Sequence, residues 1–135
     1  MYVIKVLLDE FMQSKLEQYG VKRYETKLKN GSKLVLLQKK NAPIFMRASF
    51  IAGSRFDSEG KEGTAHFLEH MLVAGSKRFP TKDKLSEYIE QFGGELGATT
   101  SGEVLNINVS VAETEDVRIG FELLHEMLLE PLFKK

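Results

Sequence analysis

Apolar and polar residues alternate one by one near the end of the chain. Leu105, Ile107, Val109 and Val111 are separated by Asn106, Asn108 and Ser110. Period two marks a strand with one buried and one wet face. A strand over 103–111 is predicted, folded back through Ser101-Gly102 on another over 95–101. Upstream, strands over 22–29 and 33–39 flank Asn30-Gly31, a strong hairpin signal. Pro43 opens a further strand over 44–52, which ends at Gly53.

The other segments have helical period. Val3, Ile4, Leu7, Leu8, Phe11, Met12, Leu16 and Tyr19 predict an amphipathic helix over 3–19, with Gly20 after it. Met1–Leu8 alone also reads as a strand. A helix runs from Thr64 to Val73. Another starts with Thr81 as its cap, carries Leu85, Ile89 and Phe92 on one stripe, and stops at Gly93-Gly94. Thr114 is expected to cap a last helix to Leu129, which Pro131 cannot continue. This order, hairpins rather than regular βαβ units, predicts an α+β fold: a mostly antiparallel sheet with helices on one face. Residues 1–135 are expected to form one partial domain, 1–20 being its N-terminal helix. The chain stops at PLFKK with no closing strand, which reads as an interrupted domain.

Composition narrows the function classes. The 135 residues are 42% apolar and 28% charged, which is ordinary for a globular domain. Lys+Arg and Asp+Glu both number 19, so no net field recruits nucleic acid or an acidic membrane surface. The N-terminus lacks a secretory signal, and no apolar run is long enough to span a bilayer. There is no cysteine. Disulfides and thiolate zinc sites are thereby excluded, and a soluble, cytoplasmic protein is expected. Any metal must be held by His and carboxylate.

The stretch GTAHFLEHM, residues 63–71, holds two of the three histidines, with Glu69 beside the second. On a helix, His66, Glu69 and His70 share one face. Two imidazoles one turn apart are the helical bite for Zn2+. Glu69, beside the metal, suits a general base that takes a proton from water acidified by the ion. The alternative is a pair of structural histidines, which would need polar partners on an apolar helix. Phe67, Leu68, Met71 and Leu72 are expected to pack this helix on the sheet. His125 reads as a surface histidine, and Arg55 and Arg78 as loop arginines. The loop SRFDSEGKEG lacks the pattern of a phosphate cradle.

Together these residues resemble the insulinase and mitochondrial-processing-peptidase family, the pitrilysins. The resemblance is carried by Gly53-Ser54-Arg55, Gly63-Thr64-Ala65, the H-x-x-E-H motif from His66 to His70 with Met71, and Gly75-Ser76. Gly93-Gly94, Ala98, Thr100-Ser101, Glu103 and the PLF of 131–133 extend it. It implies a zinc endopeptidase with a half-barrel-like α+β domain, two such domains closing over a chamber. It implies His66 and His70 as zinc ligands, Glu69 as catalytic base, and a third ligand, a glutamate, beyond residue 135. Glu122, Glu126 and Glu130 lie too early for that role.

The same resemblance makes the strand Gly97, Ala98, Thr99, Thr100 and Ser101 the edge on which a peptide substrate lies. The family commonly has Asn where Gly97 stands, and Thr and Tyr where Leu105 and Ile107 stand. Expected partners are a peptide substrate, the missing C-terminal part or a second family domain or subunit, and further copies of the chain. The alternative is a non-catalytic metal-binding or interaction subunit of the same family.

Overall fold

The computed structural model describes residues 13–133. The helix predicted over 3–19 lies mostly outside them; within them, residues 13–18 are helical. Five strands follow, β1 (Val21–Lys27), β2 (Lys33–Lys39), β3 (Ile44–Phe50), β4 (Glu95–Thr100) and β5 (Leu105–Val111). Helices α1 (Thr64–Leu72) and α2 (Lys82–Glu90) lie between β3 and β4, and α3 (Val117–Leu129) follows β5. The chain divides into two compact units, Met1–Ala42 and Pro43–Lys135.

In the first unit β1 and β2 form an antiparallel hairpin, from Val21 opposite Lys39 to Lys27 opposite Lys33. Asn30 does not take the positive φ that a two-residue primed turn demands at both centres. The amide of Gly31 donates to Leu28 O (2.9 Å), the amide of Leu28 donates to Ser32 O (2.8 Å), and only Gly31 has positive φ, +88°. This is the longer hairpin loop, a tight turn followed by one left-handed residue. Asn30 Oδ1 accepts from the Ser32 amide (3.0 Å), which fixes the turn from its side chain.

The second unit holds a three-stranded antiparallel sheet in the order β3-β5-β4. β5 is central, and its alternation is realised: Leu105, Ile107, Val109 and Val111 are buried, while Asn106, Asn108 and Ser110 are half-buried. Helices α1 and α2 pack on β4, and α3 packs on β5 and β3. The core between them includes Leu85, Ile89, Ile107, Leu123 and Met127, all at most 1% exposed. Each such side chain contributes about 1.5–3 kcal/mol of burial. Thr81 caps α2 as expected, its side chain accepting from the Lys84 amide (3.3 Å).

Thr114 does not cap α3. Residues Thr114–Asp116 form a 3-10 turn, and α3 begins at Val117 without a side-chain cap. Glu115 and Asp116 place carboxylates ahead of the helix, where its macrodipole favours them. Among the described residues, no helix is long and apolar enough to cross a membrane.

Candidate active site

Helix α1 follows Gly63, which has no side chain to cap it. Asp57, directly after the 3-10 turn Ser54–Phe56 and six residues before Gly63, does that work from outside. Its Oδ2 accepts from the Gly63 amide (2.8 Å) and its Oδ1 from the Ala65 amide (3.0 Å). A carboxylate there satisfies two orphan donors and meets the positive end of the helix. Sequence reasoning missed Asp57, because a local rule looks for the cap directly before the helix. The same first turn of α1 is tied to the sheet: Thr100 Oγ1 donates to Ala65 O (3.5 Å).

So anchored, α1 presents His66, Glu69 and His70 together. The two Nε2 atoms face each other at 3.0 Å, and one ligand atom from each of the three residues lies within 4.8 Å of the others. The histidines are exposed and Glu69 is half-buried. Two imidazole nitrogens that close need either a proton between them or a shared cation. For bonds of about 2.0–2.1 Å in a tetrahedral site, two ligand nitrogens stand about 3.3 Å apart, near what this pair offers. The donor set suits zinc.

Packing of α1 differs from expectation. Ala65 and Leu72 are buried and Met71 is half-buried, but Phe67 is 66% and Leu68 38% exposed. A helix that is apolar on most sides can turn only one side to the sheet.

β4 is an edge strand. Among the described residues it pairs with β5 alone, Gly97 opposite Asn108 and Thr99 opposite Asn106. The strand ends at Thr100, one residue earlier than predicted. Ser101 lies in the turn beyond, its amide donating to Val104 O (2.9 Å) and its carbonyl accepting from the Ser54 amide (2.9 Å).

That last bond belongs to a clasp. Gly53, Ser54 and Arg55 donate their amides in turn to the carbonyls of Glu103, Ser101 and Gly102, at 3.1, 2.9 and 2.9 Å. A Cβ on Gly53 would stand 2.5 Å from Ser101 O, so only glycine permits the approach. Arg55 closes the clasp by an ion pair with Glu103.

The remaining charged residues sit elsewhere. Arg78 pairs with Glu122 and Lys77 with Glu130. The hydrogen bond from Lys77 holds the Glu130 carboxyl below its ordinary pKa, and the bond that Arg78 donates to Glu122 raises the guanidinium's own. Among the described residues, Glu122, Glu126, Glu130 and His125 do not join the metal-binding group.

A short helix offering two facing histidines and a carboxylate, packed against the edge strand of an antiparallel sheet, is a candidate metal centre. The sequence profile described as Insulinase (Peptidase family M16) matches residues 33–135, and the chain belongs to this peptidase family.

It is similar to Insulin-degrading enzyme-like 2 of Arabidopsis thaliana, 39% identical over 80 residues that make up 59% of this chain and 8% of that protein. It is similar to Protease 3 of Escherichia coli (strain K12), 33% identical over 110 residues, 81% of this chain and 11% of that one. The crystal structure of pitrilysin superposes with a TM-score of 0.73 at 30% identity, covering 85% of this chain and 12% of that chain. The chain thus spans about a tenth of the length of these relatives.

Proposed function

We propose that the chain is the metal-binding part of a zinc endopeptidase acting on peptides or unfolded segments. The observation that carries this is the facing pair His66 and His70, with Nε2 atoms 3.0 Å apart beside Glu69. A zinc ion held by the two imidazoles supplies Lewis acidity toward a peptide carbonyl and toward water. Glu69 takes the proton from the attacking water and returns it to the leaving amine nitrogen. The substrate lies as an added strand along Gly97, Ala98, Thr99 and Thr100, whose outer backbone groups β5 does not use. Ser101 marks the end of that register.

A catalytic zinc takes three protein ligands and keeps one position open. Among the described residues no further donor joins the group. We assign the third ligand to a glutamate beyond residue 135, as the family resemblance implies, and the chain alone is expected to hydrolyse peptides poorly. Its balanced charge supports neither a nucleic-acid nor a membrane partner. A cytoplasmic location is proposed with it, since a chain without cysteine suits a reducing compartment; cell fractionation tests that.

The lack of a further donor beside the group among the described residues favours a second reading, a non-catalytic metal-binding or interaction subunit. Calorimetry with zinc, beside His70→Ala and Glu69→Gln, separates them. One-to-one binding lost in His70→Ala and kept in Glu69→Gln supports the base role. Loss in Glu69→Gln makes Glu69 a ligand and favours the second reading. Unchanged binding in His70→Ala overturns the site, and zinc-dependent turnover by the chain alone, abolished by Glu69→Gln, overturns its expected weakness.

A further inference from the structure

The wet face of the three-stranded sheet contains a depression of about 310 Å3, lined by Phe45, Arg47, Glu95, Gly97, Thr99 and Asn108 among others. Arg47, Asn108 and Gly97 form one cross-strand row, Arg47 opposite Asn108 on β5 and Asn108 opposite Gly97 on β4. Arg47 reaches as far as Asn108 in that row. Its Nε donates to Asn108 Oδ1 (2.7 Å), and its guanidinium lies over the Phe45 ring, 5.1 Å from the centroid. Among the described residues no carboxylate pairs with it. At Gly97 the row is open: no atom lies within 4 Å of where a Cβ would stand.

We infer that Arg47 is a specificity-determining residue that selects a glutamate side chain at the peptide position opposite Gly97. This rests on the reading of β4 as the substrate strand. A residue paired with Gly97 on the outer edge of β4 points its side chain to the same face as Gly97 and Arg47. Peptide and Arg47 backbones are then three strand spacings apart, about 14 Å. The arginine side chain crosses the β5 spacing, held there by Asn108. A glutamate side chain crosses the vacant Gly97 spacing from the other side, and the guanidinium offers it a paired donor fork. Aspartate is too short for the same span. Glu95 lines the same depression one row away, so the preference is for one acid at one position, not for acidic peptides in general.

The test is fluorescence anisotropy with end-blocked, labelled octapeptides, each carrying a single Glu, Gln or Asp at a scanned position. They are titrated with the zinc-loaded 135-residue chain carrying Glu69→Gln to prevent cleavage. At one position Glu is expected to bind about fivefold tighter than Gln, less at high salt, with Asp between. Arg47→Gln should erase that difference while peptides still bind. Gly97→Val should erase it with Arg47 in place, because the passage is filled. Equal binding of Glu and Gln at every position overturns the role of Arg47 and leaves the strand reading standing. A glutamate preference that survives Arg47→Gln also overturns it. No binding of any peptide overturns both.

Discussion

Two helices of nine residues each stand side by side in the chain and are built in opposite ways. α2 is self-contained. Its own Thr81 caps it, Leu85 and Ile89 bury one stripe, and charged residues take the other side. α1 borrows its cap from Asp57, leaves Phe67 and Leu68 exposed, and spends one face on His66, Glu69 and His70. α2 is shaped by packing. α1 is shaped by what it must present, and its stability is supplied from a loop and a neighbouring strand.

The contrast can be broken at several points. Leu85→Ala, at a site with no solvent exposure, should cost about 2–5 kcal/mol in denaturant unfolding. A cost under about 1 kcal/mol would deny α2 its structural role. Asp57→Ala should cost about 1–2 kcal/mol and also weaken zinc binding by calorimetry, since it frees the first turn of α1. Zinc affinity unchanged by Asp57→Ala would mean that α1 needs no outside support. Thr81→Ala should cost about 1 kcal/mol and leave zinc binding alone. Glu69→Gln should change stability by no more than about 0.5 kcal/mol while abolishing hydrolysis in a completed enzyme, measured on a quenched peptide.

The same contrast explains what could be read in advance. The alternation of 105–111, the Thr81 cap and the spacing of His66, Glu69 and His70 are local, and local patterns survive in a linear string. The start of α3 was misjudged, because Thr114 satisfies the cap motif yet opens a 3-10 turn ahead of the helix. Asp57 and the clasp of Gly53, Ser54 and Arg55 on residues 101–103 were invisible. Asp57 lies several residues ahead of the place where a cap is sought, and the clasp joins positions distant along the chain, so nothing in the spacing of either partner names the other. The candidate chemistry was therefore legible as a set of residues, whereas the parts that aim it were not.

The clasp has a mechanical consequence. Its three amides fix the loop that carries Asp57, and hence the front of α1, against the turn that ends β4. A machinist would call it a shared datum: two features located from one reference surface keep their mutual tolerance however the rest of the part flexes. Breathing of the sheet or strain from a long peptide would then carry the histidines and the far end of the edge strand together, so the reach from one to the other stays constant. The cost is that the two cannot be tuned separately, since any side chain at Gly53 displaces both at once.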